Sequence, residues 1–149
     1  MFPNAKASEQ LSILATLDPG NQAVGVATTG WVPLNTHHGL LALVQTGALA
    51  TGATVDAKLQ QALDASGTGA KDVAGKAIAQ LTQASNGANR QALINLRPEE
   101  LDVNNGFAFA RLVVTVAAAA ANTSAQLLGV NPRLASAETA NQAAVAQIV

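Results

Sequence analysis

Three aspartates, Asp56, Asp64 and Asp72, recur every eight residues near the middle of the chain. Paired carboxylates can act as acid and base in glycoside hydrolysis, and carboxylates on a loop can bind calcium. The surroundings fit neither chemistry. A sugar cleft is lined with aromatic side chains, and the chain has only three Phe, one Trp and no Tyr. Segment 64–72 also lacks the oxygen-ligand spacing of a calcium-binding hand. Turn formation and solubility account for all three aspartates.

The remaining candidates fare no better. His37 and His38 are the only histidines and stand side by side. Neighbours on a strand point to opposite faces, and no cysteine or acidic cluster flanks them, so a metal site would need Asp64 or Asp72 brought from a distance. The pair reads as solvated loop residues. Cysteine is absent, which removes disulfides, thiolate nucleophiles and zinc-finger spacings. Ser12, Ser66 and Ser85 have no flanking nucleophile-elbow pattern. Gly67-Thr-Gly69 lacks the lysine of a phosphate loop and precedes a strand rather than a helix. No catalytic residue, metal ligand or cofactor site is assigned, and the chain is expected not to be an enzyme.

The elements that would carry any site are strands. From Thr54 onward Val55, Ala57, Leu59 and Leu63 share one parity, broken by Gln61, while Thr54, Asp56, Lys58 and Gln60 take the other. That period of two puts the first set against a core and the second in water. The loop Asp64-Ala-Ser-Gly-Thr-Gly follows, then an extended run from Lys71 to Thr82 interrupted at Gly75, so 54–82 is a hairpin. Phe107 to Val116 is the clearest strand: Ala108, Ala110, Leu112, Val114 and Val116 face one way, and Phe107, Phe109, Arg111, Val113 and Thr115 the other. Leu40–Val44 suits a strand buried on both faces. Shorter strands are expected around Leu11–Leu17, Trp31–Leu34, Gln91–Leu96 and Gln126–Val130. Asp18-Pro19-Gly20 reads as a turn, 25–30 and 35–39 as connections, 47–53 as a turn, and Pro98–Asp102 as one helical turn.

Seven or eight short strands separated by Gly, Asn and Asp turns predict an all-β antiparallel sandwich or barrel. An α+β domain is the rival, because segments 57–65 and 117–121 are rich in alanine. One domain is expected over 11–133, with flexible arms at 1–10 and 134–149. Trp31 is expected in the core, while Phe107 and Phe109 could equally pack inside or mark a contact surface.

Charged residues make up 11% of the chain against roughly 25% in an average soluble domain. A surface so poor in charge suits a protein that ends packed against other proteins, although an alanine-rich background would produce the same numbers. The net charge of −1 supplies no basic footprint for nucleic acid. No signal-like apolar stretch opens the chain, and its longest apolar run, 112–121, is half the length of a membrane span. Neither nucleic acid nor membrane is an expected partner.

Segments 39–82, 90–96 and 109–134 together resemble a family of small virion proteins of tailed phages, encoded near the major capsid protein. The matching features are Asp56, Lys58 and Gln60 on one strand, then Asp72, Val73 and Gly75 at a turn. Gln80–Thr82, Arg111, and Gly129 with Pro132 and Arg133 complete the pattern. Two positions depart from it: Lys71 stands where a tryptophan is common, and Phe109 where a tyrosine is. The resemblance implies a jelly-roll-like β-sandwich that decorates or cements the capsid exterior, made in the host cytoplasm and bound to the major capsid protein. Homo-oligomers, trimers most naturally, are expected, with Phe2, Phe107, Phe109, Ile148 and Val149 as interface residues. The alternative is a carbohydrate- or receptor-binding sandwich of a tail, fibre or spike, with an aromatic or acidic patch near Trp31, His37 and Asp64.

Overall fold

The computed structural model describes residues 4–149. Ten strands follow a single helical turn, α1 (Ala7–Gln10): β1 (Leu11–Gln22), β2 (Gly25–Thr28), β3 (Val32–Pro33), β4 (His37–Leu49), β5 (Thr54–Ala62), β6 (Lys71–Ala77), β7 (Leu81–Thr82), β8 (Gln91–Leu96), β9 (Phe109–Ala117) and β10 (Ala121–Pro132). One sheet has the order β1-β10-β4-β8 and the other β2-β9-β5-β6, with β3 and β7 as short additions to β9 and β5. Every pairing is antiparallel. Apart from the two short additions and the β5–β6 hairpin, successive strands alternate between the sheets, and the first pairs with the last. That is the strand order of a jelly roll, the double-sheet solution for an eight-stranded antiparallel chain.

Alternation decides which side of each strand is buried. Ala110, Leu112, Val114 and Val116 of β9 are at most 1% exposed, and they face Val55, Ala57 and Leu59 of the neighbouring β5 across the register. Ala42 and Val44 of β4, Leu96 of β8 and Leu127 of β10 supply the opposing layer. Each such Val or Leu contributes about 1.5–3 kcal/mol on burial. Gln61 breaks the apolar pattern of β5 yet is buried, and its Oε1 accepts the Asp102 backbone N–H at 2.8 Å.

Several connections expected from turn residues are strand. β1 runs through Asp18-Pro19-Gly20, because an edge strand tolerates proline and its register slips between Leu17 and Gly20 to absorb it. Segment 25–28 is β2, paired to β9. His37-His38 opens β4 rather than lying in a loop, and only His38 is exposed. β4 also continues to Leu49, through part of the expected turn. The alanines at 57–62 lie in β5 and not in a helix, since their alternate burial against β9 outweighs helix propensity.

Candidate interaction surfaces

The sandwich offers two outer faces and four sheet edges. On the outer face of the β2-β9-β5-β6 sheet lies a polar ladder. Arg111 donates to Gln60 Oε1 from Nε and Nη2 at 3.1 and 2.8 Å, and Gln60 and Lys58 both donate to Asp72, at 2.9 and 2.7 Å. The Arg111 guanidinium lies 4.5 Å from the centre of the half-buried Trp31 ring. Gly67, at φ +85°, lies so close to the indole that a Cβ there would fall 2.6 Å from Nε1. Trp31 is thus covered by a guanidinium and a glycine turn.

The three aspartates are brought to separate partners. Asp56 accepts from Gln80, Asp64 accepts the backbone N–H groups of Ser66 and Thr68 within its own loop, and Asp72 takes Lys58 and Gln60. The hydroxyl and backbone of Thr68 hold the Asp64 carboxyl below its ordinary value, and Lys58 does the same for Asp72. A carboxyl shifted down is a poor general acid, so neither suits acid catalysis at neutral pH. Among the described residues no group of three or more His, Asp or Glu is placed to hold a metal ion, and no helix is long and apolar enough to cross a membrane.

The expected interface residues scatter. Phe2 lies outside the described residues. Phe107 is 8% exposed and joins the core, with the Lys71 ammonium 4.1 Å from its ring centre. Phe109 is half-buried at the start of β9, and Ile148 and Val149 are exposed.

The outer face of the β1-β10-β4-β8 sheet is of another kind. Its central rows are Ile13–Leu128–Leu41–Asn95 and Thr16–Gln126–Leu43–Leu93, followed by Ser124–Gln45–Gln91. No residue in these rows is charged. Towards one end the face opens into a groove of about 650 Å³, lined by amides and hydroxyls including Gln45, Gln91, Asn122 and Ser124. Sequence reading missed this face because β4 looked buried on both sides. Its signal was the polar interruption of alternate positions in β8 and β10.

One cluster closes the end of this sheet. His37 is 3% exposed, and burial pushes its imidazole pKa below 6.5. Ser12 Oγ donates to the Ala137 carbonyl at 2.6 Å and lies 3.0 Å from His37 Nε2, while Thr36 Oγ1 lies 2.9 Å from Nδ1. With the Ser12 proton committed to Ala137, Nε2 carries the imidazole proton and Nδ1 accepts from Thr36. The ring sits where a Gly129 side chain would be: a Cβ there would fall 2.7 Å from three ring atoms. The segment 134–149, expected as a tail that lies on a partner or is disordered, is partly docked on its own chain. Ala137 is fully buried, and Asn141 and Gln142 bond to Ile13.

Fold and surfaces together define a jelly-roll β-sandwich with a charged ladder on one outer face and an uncharged centre on the other. Compared by sequence, the chain matches no protein-family model and no curated protein. Among solved structures it is similar to a Bacillus endospore appendage protein of a disulfide-linked pilus family, at 13% identity and TM-score 0.41, covering 88% of this chain and 99% of that one. It is also similar to a chain of infectious bursal disease virus (11%, TM-score 0.42, 93% of this chain and 37% of that one) and to the xylan-binding module CBM15 (9%, TM-score 0.38, 85% and 94%). At these TM-scores none of the likenesses bears on what this chain does, and the fold stands on its own strand order.

Proposed function

We propose that this chain is a structural protein of a tailed-phage virion, a homo-oligomeric decoration or cement protein that binds neighbouring major capsid protein subunits on the head exterior. The observation that carries the reading is the uncharged centre of the outer face of the β1-β10-β4-β8 sheet, whose three central rows hold no ionisable side chain. Covering such a face across two subunits removes apolar area from water, at about 25 cal/mol per Å², without stripping water from any ion. The family resemblance of residues 39–82 and 109–134 supports the same reading. A carbohydrate- or receptor-binding role calls for an open aromatic or acidic patch; here Arg111 and Gly67 cover Trp31, and His37 is buried.

Mass spectrometry and imaging of purified particles test the proposal. Many copies spread over the head are expected, together with loss of head stability when the protein is removed. A few copies at a vertex or tail tip, or absence from particles, would overturn it.

A further inference from the structure

We propose that β8 is a self-pairing edge, through which two copies of this chain join their β1-β10-β4-β8 sheets into one continuous eight-stranded sheet. The inference does not rest on the virion reading. It begins from a contrast among the four edges, since a bare edge strand is a template for pairing with another chain unless it is short, charged, bulged or covered. β1 is covered at Ile13 by residues 141 and 142, carries Asp18 and Pro19, and slips in register twice. β2 has four residues. β6 carries Lys71, Asp72 and Lys76, turns at Gly75 with φ +73°, and its pairing with β5 slips in register. β8, Gln-Ala-Leu-Ile-Asn-Leu, has none of these devices.

Hydrogen-bond phase shows which groups are free. Thr46 N–H donates to the Arg90 carbonyl at 2.9 Å, so Arg90 points its backbone groups at β4. The β4–β8 register runs without a break from Leu40↔Leu96 to Gln45↔Gln91. Alternation therefore aims the N–H and C=O of Gln91, Leu93 and Asn95 away from β4. Among the described residues these groups have no protein partner, and Leu93 is 58% exposed.

The occupant follows from register. Two copies related by a two-fold axis normal to the sheet keep their outer faces on one side only if outer residues pair with outer residues. Centring the axis on Leu93 sets Leu93 opposite Leu93 of the second copy, and Gln91 opposite its Asn95 on either side. Each is a hydrogen-bonded pair, giving six backbone bonds, an apolar centre and two amide pairs, with no charge opposed. Arg90 and Arg97 flank the segment on opposite faces by parity. The contact is isologous and closes at two copies, which replaces the three-fold expectation with a two-fold one. It also makes the uncharged central rows of the outer face continuous across both copies.

Sedimentation of the full chain over a concentration series tests the pairing. The wild type is expected to pass from monomer to dimer. Leu93→Lys and Leu93→Glu, each placing like charges opposite one another, are expected to remain monomeric with unchanged circular dichroism, and their equimolar mixture to dimerise again. Because the chain has no cysteine, Leu93→Cys supplies a direct trap: hydrogen-bonded antiparallel partners have Cα atoms about 5.5 Å apart, within disulfide range. It is expected to oxidise to a dimer, whereas Val26→Cys on the β2 edge is not. A wild type monomeric throughout the series, a dimer untouched by Leu93→Lys, or equal crosslinking at both cysteine positions would each overturn the proposal.

Discussion

The two edges of the β1-β10-β4-β8 sheet present similar backbone geometry to different surroundings. On β1, Ile13 turns its N–H and C=O outward, and both are met: Asn141 Oδ1 accepts from its N–H at 2.7 Å, and Gln142 N–H donates to its carbonyl at 2.8 Å. On β8, Leu93 turns the same two groups outward and meets only solvent. Chain connectivity explains the difference. β10 ends beside β1, so the residues after it can fold back over that edge, whereas β8 lies at the far side of the sheet from them. One edge is closed by the molecule itself and the other is left for a partner.

Removing the cover should give the largest effect. Deleting residues 137–149 takes away the bonds to Ser12, Ile13 and Thr16 and re-exposes β1. With each bond contributing about 0.5–1.5 kcal/mol, a loss of about 2–4 kcal/mol in urea unfolding is expected. The newly bare β1 should also raise self-association, even in a Leu93→Lys background. Unchanged stability would mean that the segment is not docked. Gly129→Ala comes next, because its Cβ would press into the His37 ring; a cost of about 1–3 kcal/mol is expected. Combining it with His37→Ala should cost less than the sum of the two single changes, since removing the ring removes the clash.

Titration of His37 gives a smaller effect on the same closed edge. Its folded pKa is lowered by burial, so between 6.5 and that lower value the unfolded chain binds the proton and the folded chain does not. Its contribution is therefore full above 6.5 and is lost as pH falls through the folded value. Chemical denaturation at a series of pH values should show stability falling with acid over this window, and His37→Gln should flatten that segment of the curve. A wild-type curve already flat there would mean that burial does not lower the His37 pKa.

The legible parts of this molecule are those where one strand carries its whole signal. β5 and β9 alternate cleanly because each has one face on the core and one on the polar ladder, and the hairpin from β5 through β7 followed directly. The closed edge was illegible because its parts come from four segments. Ser12 and His37 look like an ordinary hydroxyl and a loop imidazole until Gly129 leaves room for the ring and Ala137 accepts from the serine. β1 was cut short at Pro19 because a turn signal and an edge-strand bulge use the same residues. The open edge was visible as an alternating segment, 91–96, but its exposure depends on strand order, which the residues of β8 alone do not encode.

The smallest effect is expected at β6, the edge guarded by charge. Lys58 and Asp72 form an ion pair at 2.7 Å with side chains 40% and 54% exposed, and a pair so open to solvent contributes about 0–1 kcal/mol. Asp72→Asn should therefore shift urea unfolding by less than about 0.5 kcal/mol at neutral pH. Lys58 and Gln60 hold the Asp72 pKa down, so what the carboxylate adds is lost only as pH falls below its ordinary 3.8. If charge on β6 serves chiefly to repel other edges, its removal should be read in assembly rather than in stability. Replacing Lys71, Asp72 and Lys76 together by threonine should leave the monomer folded and add a second mode of association to a Leu93→Lys chain. A triple variant that stays monomeric in that background would mean that the Gly75 turn and the slipped register protect β6 without help from charge, leaving absence of a bulge as the feature that sets β8 apart.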